Sequence, residues 1–200
     1  LRTLSVVTAI LCTGCNVKED ESGCLESLGI TFSFTKNGEE KFGEEVSSID
    51  LFVFDEQGLF VGHWNEKDQS KFSGDYTMKL PLPRGTYNCI AWGGLDESQY
   101  YISTGNTTLG NAVDPVKGET SMDELRARLR CDVQNNGNEN KHVVNYQPAN
   151  LFYGSALNLD LTKKQEKNSR VKLDLVKTSN RINLVISGMP LPETRVNPYT

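Results

Sequence analysis

The chain has 200 residues, enough for one domain and part of a second. Its formal charge of −5 comes without clusters of basic residues, so there is no electrostatic footprint for nucleic acid. Hydrophobic residues make up only 37% but fall in periodic runs, which argues against disorder outside the linkers.

Residues 1–14 carry one basic residue, Arg2, then an apolar run over 4–11, then Cys12-Thr13-Gly14 before Cys15. A short apolar core followed by small residues is the pattern of a secretory signal, and it is far shorter than the roughly 20 residues of a membrane-spanning helix. Small residues directly before a cysteine look like a lipoprotein signal, in which Cys15 becomes the lipidated first residue and acyl chains hold it to an outer membrane. Cys12 stands where Leu is usual, and no Met opens the chain, so a truncated start is expected. The competing reading is a buried apolar strand with two ordinary cysteines. Loss of 1–14 removes Arg2 and no acid, moving the formal charge from −5 to −6. Residues 15–27 are polar and acidic and read as a tether. The acids after Cys15 also resemble the surface-export signal of Bacteroidales lipoproteins.

Beyond the tether, alternation with period two dominates. Ile30, Phe32 and Phe34 alternate with Thr31 and Ser33, which predicts a half-buried strand. Ile49-Asp50-Leu51-Phe52-Val53-Phe54 is nearly all apolar, as in a strand covered on both faces. Asp55-Glu56-Gln57-Gly58 predicts a turn into Leu59-Phe60-Val61. Tyr76, Met78, Leu80 and Leu82 alternate again, Pro83-Arg84-Gly85-Thr86 turns the chain, and residues 87–92 form another strand ended by Gly93-Gly94. Short strands at this spacing argue for a mainly β sandwich or barrel.

Ser121 followed by Glu124 has capping-box spacing and predicts one short helix, with Met122, Leu125 and Leu129 on one face. Arg126, Arg128 and Arg130 could hold a phosphate, but they read first as the solvated side of that helix. Residues 134–140 predict a polar loop without the ligand pattern of a calcium site. Leu151-Phe152-Tyr153, then Leu157, Leu159 and Leu161, predict further strands. Residues 162–170 are charged and lack core formers, which places a domain boundary there: 28–165 an N-terminal sandwich, 166–200 the first strands of a second, truncated one. The other possibility is that the strands at 171–175 and 182–186 complete the first sandwich.

No catalytic pattern stands out. His63 and His142 are isolated, and there is no G-x-S-x-G, phosphate loop or H-E-x-x-H, so an enzyme, a cofactor and a metal site are not expected. Cys24, Cys89 and Cys131 allow at most one disulfide within a monomer, its pairing open. Trp64 and Trp92 with Tyr100 and Tyr101 could form a sugar-binding platform, although a strand end before Gly93 makes a core role for Trp92 the simpler reading.

The ordered set Gly29-Ile30-Thr31-Phe32-Ser33-Phe34, residues 45–55 with their hairpin, residues 85–94, Leu151-Phe152-Tyr153-Gly154 and residues 178–186, after a lipoprotein signal, resembles the FimB-type fimbrial anchor and minor-subunit family of Bacteroidales. The resemblance runs over about 15–188. It implies two transthyretin-like Greek-key sandwich domains, the second opening near Val171, and fimbrial subunits as partners, joined by strand addition. It also implies that stalk subunits lose an N-terminal segment to an arginine-specific protease while the anchor does not. No arginine lies between Cys15 and Arg84, which fits a retained anchor. The alternative is a surface lipoprotein that binds glycans or host protein.

Overall fold

The computed structural model describes residues 26–105, 111–136, 139–161 and 170–179. In chain order the elements are β1 Glu26–Ser33, β2 Thr35–Lys36, β3 Glu39–Glu40, the single turn of α1 Phe42–Glu45, β4 Ile49–Asp55 and β5 Phe60–Glu66. There follow β6 Thr77–Leu82, β7 Thr86–Gly93, β8 Tyr100–Ser103, β9 Arg126–Leu129, β10 Asp132–Asn136 and β11 Glu139–Val143. The series ends with β12 Phe152–Asp160, β13 Arg170–Asp174 and β14 Val176–Lys177.

Two sheets form the expected β-sandwich. One has the order β13-β1-β6, the other β14-β12-β7-β4-β5. Between them pack Leu28, Ile30 and Phe32 of β1, Leu80 and Leu82 of β6, Ile49, Leu51 and Val53 of β4, Cys89 and Ala91 of β7, and Phe152 of β12. The opposite parity of the larger sheet makes a second core from Phe52, Phe54, Phe60, Ile90 and Trp92, roofed by Leu95, Tyr100 and Leu125. The larger sheet is therefore buried on both faces, and this is the physical origin of the unbroken apolar run in β4.

Three expectations are corrected. The capping box at Ser121 and Glu124 forms, but it caps one 3-10 turn, Met122–Glu124; the chain then extends as β9, antiparallel to β8, with Tyr100 opposite Leu129 and Ser103 opposite Arg126. Leu125-Ala127-Leu129 is also a period-two pattern, and pairing with β8 satisfies the backbone better than an isolated helix would. The polar stretch at 134–140 is largely a hairpin, β10 with β11, rather than a loop. Residues 170–177, placed by the sequence in a second domain, lie in this sandwich: β13 runs parallel to β1 with Ile30 opposite Val171, and β14 pairs with β12. Leu173 and Leu175 are buried there, an outlet for apolar faces that two strands alone do not have. The run at 182–186 lies outside the described residues.

Candidate functional site

Asp50 is the one polar residue in the apolar run of β4. Alternation turns it, with Phe52 and Phe54, toward the outer face of the larger sheet, where it is 5% exposed. His63 on β5 sits opposite Phe52; its ring stacks on that phenyl at 4.2 Å, and its Nε2 is 2.9 Å from Asp50 Oδ1. Between this pair and the antiparallel β8–β9 pair lies a cavity of about 450 Å³. Its apolar surface comes from Phe52, Phe60, Leu95 and Ile102, and its polar groups are Asp50, His63, Glu97, Asp114 and Arg130.

The far wall is held by a turn and two tyrosines. Asp96 Oδ1 accepts from the Ser98 amide and hydroxyl at 2.8 and 2.7 Å, bonds that hold its carboxyl below the usual range. Tyr100 donates to the Ala149 carbonyl at 2.7 Å, and burial pushes its phenol up. Arg130 donates from Nε to the Glu97 carbonyl at 2.8 Å, with its guanidinium carbon 5.5 Å from the Tyr101 ring centre. The Glu97 carboxylate is ion-paired with Lys67, which holds its carboxyl below the ordinary value.

The sheet edges are the other chemically open feature. β6 carries Pro81 and the exposed Lys79, the two residue types that blunt an edge. The start of β5 is covered, since the Phe60 amide donates to the Thr120 carbonyl and the Gly118 amide to the Phe60 carbonyl. From there to Glu66 no strand pairs with its outer side among the described residues. On the opposite flank β14 reaches only Phe152 and Tyr153, so the rest of β12 has no partner on that side among the described residues. Leu157 and Val176 are exposed along this flank, at 56% and 66%.

Cys15 and Cys24 lie outside the described residues. Cys89 and Cys131 are both free thiols; Cys89 is buried in the sandwich, and Cys131 Sγ is 3.3 Å from His142 Nδ1. The four aromatics of the imagined sugar platform do not form one. Trp92, Tyr100 and Tyr101 are buried, while Trp64 packs on the other face of the sheet. Nor do the three arginines converge: Arg126 bonds the Leu125 carbonyl, Arg128 the buried Ser103 hydroxyl and Arg130 the Glu97 carbonyl. The pairing of Asp50 with His63 is not visible from either residue's position in the sequence alone. The signal that could have found them is a lone acid on the covered face of a hairpin strand, one cross-strand step from a histidine.

Comparison with known proteins places the geometry in context. The family model of the fimbrillin-A associated anchor proteins Mfa1 and Mfa2 matches residues 20–200. Among solved structures, a candidate polysaccharide-binding protein of Bacteroides thetaiotaomicron is similar at 22% identity with a TM-score of 0.56, over 77% of this chain and 47% of that one. A candidate adhesin of Bacteroides ovatus is similar at 21% identity with a TM-score of 0.56, over the same shares. The chain thus spans about half the length of these structures, and at such identity the likeness is one of fold. No curated protein matches.

Proposed function

The chain belongs to the family of fimbrillin-A associated anchor proteins, and from that premise we propose that it is a lipoprotein of the cell surface that holds or extends a pilus. It is a structural protein rather than an enzyme, held to the outer membrane by acyl chains on Cys15 and joined to fimbrial subunits by strand addition. The observation that carries this reading is the family match over residues 20–200.

Supporting it, the residues before Cys15 have the form of a lipoprotein signal, and residues 16–83 contain no arginine at which an arginine-specific protease could cut the tether away. One acyl chain binds a membrane only marginally, so the attachment uses two or more. Open strand sides on β5 and β12 offer the main-chain donors and acceptors that an added strand needs, whereas β6 is blunted by Pro81. A second sandwich domain belongs to the same proposal.

Replacing Cys15 by Ala is expected to abolish radiolabelled palmitate incorporation and to move the protein out of the membrane fraction. Deleting the gene is expected to release fimbriae or change their length. Unchanged labelling would remove the lipid anchor from the proposal, and attached fimbriae of unchanged length would remove the pilus role.

A second reading, a surface binder of glycans or protein, rests on the cavity beside Asp50 rather than on an aromatic platform. Loss of binding on a glycan array in variants of the cavity residues, with fimbriae intact, is the result that would favour it.

A further inference from the structure

We infer that the cavity on the outer face of the larger sheet is a receptor for an amphipathic cation: an ammonium or guanidinium carried on an aliphatic or aromatic stem. The volume of about 450 Å³ falls within the size range of small-ligand sites, about 300–1,000 Å³. Its apolar floor of Phe52, Phe60, Leu95 and Ile102 removes a stem from water. The charge around it leans negative: Asp50, Glu97 and Asp114 stand against Arg130 and Lys67, with the His63 imidazole on Asp50.

The existing pairs do not cancel that imbalance. Glu97 is matched by Lys67, and Arg130, lying over Tyr101 with its Nε on a main-chain carbonyl, keeps its charge and offsets one more. With histidine counted neutral, Asp50 and Asp114 therefore leave the cavity with a net negative charge. Asp50 is buried, and His63 occupies one of its oxygens; an ionised carboxylate has room for several donors and is costly to bury with few. Asp114 is exposed at the mouth and has no ion pair among the described residues. A carboxylate at the base and another at the rim, above an apolar floor, favour a cation with a hydrophobic body and repel an anion. This inference does not depend on the anchor reading.

Titration calorimetry on the intact chain with 4-phenylbutylamine, 4-phenylbutan-1-ol and 4-phenylbutanoate tests it. The amine is expected to bind about tenfold or more tighter than the alcohol, as a charge-assisted bond to a buried carboxylate requires. Asp50→Asn is expected to weaken the amine by about tenfold and leave the alcohol unchanged. Asp114→Asn, at an exposed site, is expected to weaken it about threefold. Since Asp114 is outside both cores, that variant decides the matter if Asp50→Asn melts early. The same cation could come from a lysine of a protein or from a free amine; N-acetyl-Phe-Lys-amide separates the two, and preference for either over the alcohol supports the proposal. Equal binding of amine and alcohol, tightest binding of the carboxylate, no binding at all, or no effect of Asp114→Asn would overturn it.

Discussion

At Gly154 the chain of β13 crosses over β12 so closely that a Cβ would lie 2.2 Å from Leu173 Cδ2 and 2.8 Å from the Asp174 carbonyl oxygen. The carbonyl belongs to main chain held by β1 and cannot give way as a side-chain tip can. Gly154→Ala is therefore expected to destabilise the fold by about 1–3 kcal/mol, the usual cost of overpacking. Gly74→Ala, where a Cβ meets nothing within 4 Å, is expected to stay within about 0.5 kcal/mol of the parent in the same urea titration. Equal midpoints for the two variants would mean that the corner relaxes. Nothing local to Gly154 in the sequence announces this role, because its neighbour Leu173 is distant along the chain and a strand-ending glycine looks the same. The Asp50–His63 pair was hidden for a related reason: strand period gives each residue its face, but only the hairpin register places the imidazole against the carboxylate.

Individual strands were legible where alternation or an unbroken apolar run was strong, as in β1, β4, β6 and β7. The reading of β4 as covered on both faces also holds, since Leu51 and Phe52 are both buried. Ambiguity arose where one sequence fits two periods. Met122, Leu125 and Leu129 fit a helix, Leu125, Ala127 and Leu129 fit a strand, and the partner strand β8 decides between them. The Asn37-Gly38 turn joining β2 and β3, with φ of 53° and 83°, is a strong hairpin signal, but strands of only two residues show no alternation to flank it. The β13–β14 corner makes the sharpest element-scale prediction. It buries Leu173 and Leu175 and covers one side of β1, so a chain ending at residue 169 loses two core leucines and both β13 and β14. At about 2–5 kcal/mol for each leucine, its Tm is expected to fall by about 10 °C or more relative to a chain ending at residue 179. Matching melting curves for the two chains would place the corner outside the cooperative unit.

Across the molecule, both cores hold groups that ionise only at alkaline pH, and burial shifts them in one direction. The Cys89 thiol is pushed up to about 12 from 9.0, and the Tyr76 phenol up to about 12 from 10.0, each chiefly by desolvation. Tyr87 and Tyr100 are raised by the same cause. In each case the folded chain keeps a proton that the unfolded chain gives up more easily. Their contribution to stability is thus fully present below the ordinary thiol value of 9.0 and is lost as pH rises toward about 12. Acid behaviour is set by different groups, such as Asp96 and Asp174, whose lowered carboxyls sit on the surface and are screened. The asymmetry predicts a Tm that is nearly level from neutral pH to pH 9.0 and then falls steeply. Because Cys89 and Tyr76 both pack in the sandwich between the sheets, Cys89→Val together with Tyr76→Phe is expected to flatten the alkaline limb without altering the neutral plateau's shape. A limb of unchanged slope in the double variant would mean that general charge repulsion, rather than the protonated core, governs alkaline unfolding.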